Sequence, residues 1–268
     1  MKKILMNSQH LIEVIGSGTN TFGKEGGQYR GDINGDTTEL KAAIEAGYRH
    51  FDTAISYRNE AVVAKAIKES GISREEFFIT SKIPPDEQVI TDNIAIEKHI
   101  QDSLTALEMD YIDLYLIHHP ASDEDNLRVW KVLEEYHQKG VLKSIGVSNF
   151  NQDQLTYITK HADIPIAVNQ IQSHPGLWQD DLIEFCQSRG IVVEAWGPLS
   201  GVSAEAKAQL ADIGQKYQKT WVQVILNYQV NRDVVVIPKS HNAQRQIDNL
   251  NVLDFELTLQ ETETIKSL

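Results

Sequence analysis

Short apolar runs of β type alternate with amphipathic stretches of helical period along nearly the whole chain. The runs are EVIGSG (13–18), RHFDTA (49–54), FFITSK (77–82), DLYLIH (113–118), SIGVSN (144–149), IAVNQIQ (166–172), IVVEAW (191–196) and VVVIPKS (234–240). Runs of this kind suit strands buried on both faces, and the helical stretches between them indicate βαβ units and a parallel sheet. Helix punctuation supports the division. DTTELKAAIEAG offers Asp36 as N-cap, Glu39 three residues on and Gly47 after the last turn. NEAVVAKAIKESG repeats the design with Asn59 and Gly71, and LRVWKVLEEYHQKG ends at Gly140.

Eight such strands predict a closed (β/α)8 barrel, with a doubly wound open sheet as the alternative. No composition shift or low-complexity linker divides the chain, so residues 1–268 are expected to form a single domain, and the length suits one barrel. KILMNSQHLIEVI, ahead of the first barrel strand, reads as a β-hairpin covering the barrel's bottom. The glycine-rich GKEGGQYRGDINGD (23–36) reads as a mobile loop, because it lacks the spacing of a dinucleotide fingerprint.

In a parallel barrel the reactive groups gather where the strands end, among the βα loops. Asp52 lies near the end of the second run, Lys82 ends the third and His118 ends the fourth. Period-two alternation puts His50 with Asp52, Thr80 with Lys82, and Leu116 with His118 on shared faces. If those faces point inward, a carboxylate, an ammonium and an imidazole meet at one rim, with Tyr57 in the turn just beyond. Asp52 and Lys82 taken alone would suit a structural ion pair, and His118 alone a backbone hydrogen bond. Together with Tyr57 they can do more. A free phenol has a pKa of about 10, and a nearby ammonium that stabilises the phenolate would bring it towards the working range. The carboxylate keeps the ammonium charged, and the imidazole can orient a carbonyl oxygen. Such a set suits protonation of an oxygen on which negative charge develops, as carbonyl reduction requires.

Composition narrows the partners. The net charge of -13 argues against nucleic acid or an anionic membrane surface, and an anionic ligand would need a local cationic cluster. Cys186 is the only cysteine, so no internal disulfide forms; it sits in the apolar LIEFC and reads as a buried structural thiol of a protein in a reducing cytoplasm. Neither a signal-peptide core nor a membrane-span-length apolar run is present. His118 and His119 are adjacent on a strand and point apart, and no other His, Cys or carboxylate set has zinc spacing, so no metal is expected.

GYRHFDTAISYRNE, ITSKI, YIDLYLIHHP, IGVSNF, VNQIQSHP, AWGPLS and VVVIPKS together resemble, in order, the signature segments of the aldo-keto reductases. The resemblance runs from about Gly16 to Phe255 and is nearest in style to bacterial 2,5-diketo-gluconate reductase-like members. It implies a (β/α)8 barrel and NADPH-dependent reduction of small aldehydes or ketones. Asp52, Tyr57, Lys82 and His118 fall on the family's catalytic tetrad, with Tyr57 as general acid. Ser148, Asn149 and Gln170 fall where the family holds the nicotinamide carboxamide, Trp196 where it stacks on the ring, and Leu199 and Ser200 near the pyrophosphate. Lys239, Ser240 and Arg245 match the adenosine 2′-phosphate site, with Asn249 near adenine. Lys239 and Arg245 also flank a predicted helix start, where anions bind well.

This sequence departs from the pattern at Asn20 and His119, where many members carry pocket tryptophans, and at Gln172, where a glutamate is common. The chain also ends at IKSL, so the long C-terminal loop of many members is nearly absent. These substrate-pocket changes imply a more polar and open cavity. The expectation is a cytoplasmic enzyme, a monomer or weak homo-oligomer. Two alternatives stand beside it: an NADPH-binding redox sensor with incidental turnover, and a barrel lyase or isomerase using Lys82 as a Schiff-base amine.

Overall fold

A computed structural model describes all 268 residues. A hairpin of β1 (Lys3–Leu5) and β2 (Leu11–Glu13) opens the chain. The barrel strands follow as β3 (Ser17–Gly18), β4 (His50–Asp52), β5 (Phe78–Ile83), β6 (Leu114–Ile117), β7 (Ile145–Ser148), β8 (Val168–Gln172), β9 (Val192–Trp196) and β10 (Val234–Val236). All pair in parallel with their neighbours in sequence, and a parallel bridge between Ile15 and Val236 joins the last strand to the first. The sheet is thereby closed, as a (β/α)8 barrel requires. A doubly wound sheet would need a break in the consecutive order.

The helices are α1 (Thr38–Ala46), α2 (Glu60–Ser70), α3 (Asn93–Leu107), α4 (Asp123–Gln138), α5 (Gln152–His161), α6 (Asp180–Gln187), α7 (Ala204–Tyr217), α8 (Trp221–Asn231), α9 (Ala243–Leu250) and α10 (Leu259–Lys266). None is long and apolar enough to cross a membrane. Gly47, Gly71 and Gly140 follow the helices they were read to end. The N-terminal readings need adjustment. Thr37 holds the cap position of α1, but the Asp36 carboxylate does accept from the Thr38 backbone N–H and hydroxyl, so it serves the first turn from one residue earlier. Asn59 occupies its cap position without capping; its side chain bonds Thr53 and the Thr19 and Phe22 carbonyls. α4 starts before the apolar stripe that suggested it, at an Ser122 cap.

Two-residue alternation sorts the strand residues into two packed layers. Tyr115, Ile117, Val193, Ala195, Val234 and Val236 face the helices, in the large core between sheet and helical ring. Leu114, Leu116, Val168, Val192 and Val235 face the barrel axis. Met6 and Ile12 of the hairpin pack on this inner cluster and close its lower end, as the leading segment predicted. Each buried side chain of this size stabilises by about 1.5–3 kcal/mol. The axis turns polar towards the strand C-termini, where His50, Asp52, Thr80, Lys82, Gln170 and Glu194 are all buried. Gly16 makes room there, since a Cβ at that position would come within 2.5 Å of the His50 ring. Cys186 is fully buried, with its thiol pKa raised by burial.

The last predicted strand is shorter than its apolar run. Pairing stops at Val236, and Pro238, which has no N–H for a ladder, lies in the loop that follows. The glycine-rich segment 23–36, read as a mobile loop, is tied to itself: Glu25 N–H donates to Asp32, Asn34 N–H to Gly23, and the ammonium of buried Lys24 to the carbonyls of Asn20 and Tyr29.

Candidate active site

Strand register brings the polar groups together. Asp52 pairs in register with Thr80, so Lys82 stands two residues further towards the open end and its long side chain reaches back. Lys82 Nζ donates to Asp52 Oδ1 at 2.6 Å and to the Thr53 carbonyl at 2.9 Å. Its third near neighbour is Tyr57 Oη, at 3.5 Å. A short 3-10 turn, Ile55–Tyr57, carries the phenol back over the barrel mouth. His118, first residue after β6, sets its ring edge-to-face with that of Tyr57, at a centroid separation of 5.5 Å.

The electrostatics differ from the sequence expectation at one point. Lys82 is wholly enclosed; burial opposes its charge, but the Asp52 carboxylate, helped by Tyr57, more than offsets this and holds the ammonium above its ordinary pKa. The Tyr57 phenol, expected to be lowered, is instead raised. Burial dominates, and the Lys82 ammonium counters it only in part. The reason is geometric, since that ammonium is spent first on Asp52 and Thr53. His118 is driven down to about 3 by burial, with the Lys82 charge and the neighbouring His119 adding to the effect, so it stands as a neutral imidazole. Its Nδ1 is buried and has no protein partner. A Schiff-base role for Lys82 is disfavoured by the same geometry, because a charged, enclosed ammonium is no nucleophile.

Asp52, Tyr57 and His118 line a cavity of about 470 Å³ together with Ser148, Asn149, Gln170 and Trp196. Asn20, Leu199, Ser200 and Lys239 line it too. These groups bond one another around its wall. Ser148 Oγ donates to the Gln170 carbonyl, Asn149 Nδ2 to Ser148 Oγ, and Trp196 Nε1 to Asn149 Oδ1. Asn149 takes a left-handed backbone conformation, φ 62°, that turns the chain out of β7. An adjoining cavity of about 370 Å³ shares Leu199 and Lys239 with the first and adds Ser240, Arg245 and Asn249. The two cavities adjoin at Leu199 and Lys239, and between them they extend from the phenol to the start of α9.

Cations along these cavities have no carboxylate partner. Lys239 Nζ donates to Asn20 Oδ1 at 3.1 Å and Thr21 Oγ1 at 2.8 Å, both neutral, and burial lowers its pKa. Arg245 forms no ion pair and sits in the first turn of α9, a helix capped by Asn242. In a chain of net charge -13 such unneutralised cations fit a dinucleotide with an extra phosphate. The polar wall formed by Ser148, Asn149 and Gln170 beside Trp196 fits its nicotinamide end.

His119 lies apart from the cavity wall, half exposed at the rim and 3.5 Å from Asp86. Gln172 lies outside the lining as well, bonded to His174. No three His, Cys, Asp or Glu side chains come together in a way that could hold a metal ion. Several wall residues had no sequence signal of their own, among them Thr19, Gly197 and Ile237. Tyr29 lines the wall from inside the glycine-rich loop, set edge-on to Tyr57. Glu194 was overlooked although it carried a signal, a carboxylate inside an otherwise apolar strand.

Known proteins resemble this chain over most of its length. Residues 14–268 match the model of the Aldo/keto reductase family. A glyoxal reductase of Bacillus subtilis is 41% identical over 235 residues, covering 88% of this chain and 84% of that protein. A methylglyoxal reductase of Escherichia coli O157:H7 is 37% identical over 234 residues, covering 86% and 83%. The crystal structure of a Bombyx mori aldo-keto reductase in complex with NADP superposes with a TM-score of 0.86 at 34% identity, over 98% of this chain and 91% of that one.

Proposed function

The chain belongs to the aldo/keto reductase family, and from that premise we propose that it reduces aldehyde or ketone carbonyls to alcohols with NADPH, Tyr57 being the proton donor. The observation that carries this reading is the run Asp52 Oδ1, Lys82 Nζ, Tyr57 Oη, at 2.6 and 3.5 Å, ending at a cavity wall. NADPH, when bound, supplies the hydride. Ser148, Asn149 and Gln170 would hold its carboxamide and Trp196 would lie along its ring. Lys239, Ser240 and Arg245 would take the 2′-phosphate, with Leu199 and Ser200 between and Asn249 at the adenine.

The chain's own groups then account for the proton. A neutral His118 orients the carbonyl oxygen without competing for the proton. Tyr57 gives its phenolic proton to that oxygen as charge develops there. The Lys82 ammonium stabilises the phenolate left behind, and Asp52 keeps Lys82 charged through the step. With Asn20 rather than a large aromatic in the wall, and His119 turned to the rim, the cavity suits small polar carbonyl compounds.

The test is a panel of aldehydes and ketones followed by loss of NADPH absorbance, with NADH in parallel. Turnover on small polar carbonyls, faster with NADPH, is the expected result. Tight NADPH binding with turnover on no member of the panel would instead favour a redox-sensing role.

A further inference from the structure

Behind the catalytic groups lies a second carboxyl that the reduction does not use. Glu194 is fully buried on β9, in register with Gln170 on β8 and Val235 on β10. Gln170 Nε2 donates to Asp52 Oδ2 at 2.8 Å and also, through a short contact, to Glu194 Oε1. One amide nitrogen has two N–H groups, so the two carboxyls consume it entirely. Glu194 Oε2 has no hydrogen-bond partner, and lies 3.5 Å from Nε2 of His50.

Two carboxylates sharing one amide cannot both stay ionised away from water without a cation for each. Lys82 is in contact with Asp52, at 2.6 Å, and no cation touches Glu194. The proton therefore falls to Glu194, and on Oε2 it faces Nε2 of His50 at 3.5 Å, a nitrogen that Thr80 Oγ1 also approaches at 3.3 Å. We propose that Glu194 is a protonated positioning residue, which with Asp52 pins the Gln170 amide so that only Oε1 of Gln170 is left to meet the dinucleotide's carboxamide. This proposal rests on the NADPH-dependent reading above.

The surroundings agree on the sign. Burial, and then the Asp52 charge, push the Glu194 carboxyl up to about 8, against the Gln170 hydrogen bond and Lys82. His50 is neutral, lowered to about 3 by burial despite a backbone contact with Glu13, with Lys82 adding to the fall. The titratable groups facing Glu194 are thus Asp52 and His50 from β4 and Lys82 from β5; β8 contributes the Gln170 amide and β10 only Val235.

Glu194→Gln keeps an acceptor for Gln170 and a donor towards His50 without a titrating group, whereas Glu194→Leu removes the acceptor from Gln170. A carboxyl protonated only in the folded state binds a proton the unfolded chain has already lost, so stability falls as pH rises between about 4.5 and 8. The melting temperature of Glu194→Gln should therefore gain on wild type progressively from pH 5 to 8. The wild-type infrared spectrum at pH 7 should hold a protonated-carboxyl band that the variant lacks. Glu194→Leu should raise the NADPH KM, or its Kd by fluorescence, about tenfold, and Glu194→Gln should restore it. A melting difference constant across that pH range, no missing band, or a folded Glu194→Leu with wild-type NADPH affinity would overturn the proposal. Failure of the wild type to bind NADPH would sink the parent reading instead, while the band and the melting difference still judge Glu194.

Discussion

Lys82 Nζ lies 2.6 Å from Asp52 Oδ1 inside the barrel, with almost no side-chain surface of either residue reaching solvent. Removing one member leaves the other buried without its counter-charge, which costs about 3–5 kcal/mol. Asp52→Asn should lower the melting temperature by about 10 °C, taking 2–4 °C per kcal/mol for a chain of this size, and should also depress kcat. Thermal unfolding at pH 7 checks it; an unchanged melting temperature would mean that the pair contributes nothing net.

Tyr57→Phe deletes the phenolic proton and leaves the ring. The variant should lose at least about 100-fold in kcat while its NADPH Kd moves less than about twofold, because no 2′-phosphate contact is altered. Steady-state kinetics beside a fluorescence titration separate the two. Unchanged kcat would remove Tyr57 from the acid role.

The raised pKa of Tyr57 also gives a direction with pH. The donor stays protonated through neutral pH, so carbonyl reduction should hold a plateau there and fall only on the alkaline side. Alcohol oxidation, which needs the phenolate as base, should climb over the same alkaline range. Rate profiles in both directions test this, and a reduction rate already declining between pH 6 and 8 would contradict it.

His50 and His118 are both held neutral, with pKa values lowered to about 3. Unfolded histidines take up protons near pH 6.5, so the unfolded state binds more protons between about 6.5 and 3. The histidines' share of the stability should fall as pH drops through that window, by up to about 1.4 kcal/mol per pH unit for each. Because the Glu194 carboxyl pulls the other way over the same range, the check is a comparison: urea midpoints of wild type should lose ground on those of His50→Phe from pH 7 through 6 to 5.

Lys239→Ala and Arg245→Ala should each weaken NADPH binding about 10- to 100-fold and NADH binding far less, through lost charge-assisted contacts. Raising salt should weaken wild-type NADPH binding in the same sense. Equal losses for both dinucleotides would mean these cations hold a shared phosphate rather than the extra one.

The repeating pattern, with its helices and its polar residues at strand ends, was legible because it is local. Period two decides which residues share a face, and Asp52, Lys82 and His118 could be placed on one rim before any fold was known. Glu194 obeys the same rule and could have been found by the argument used for Asp52. Asn59 could not have been read correctly, since a cap position looks the same whether its side chain caps a helix or ties two loops.

What the chain's local pattern left open was decided by closure and stagger. Gln170 meets Asp52 across 118 positions of sequence, a contact set by how far successive strands slide past one another. Lys239 finds its partners in Asn20 and Thr21 only because the last strand lies beside the first. The direction of the Tyr57 shift also belongs to the tertiary level, because the depth of burial and the sharing of one ammonium among three neighbours are properties of the packed barrel. The sequence by itself determined which polar groups stand at the strand ends, because that follows from local period; the packed barrel decided how deeply each is buried and what it is paired with, because that follows from closure and stagger.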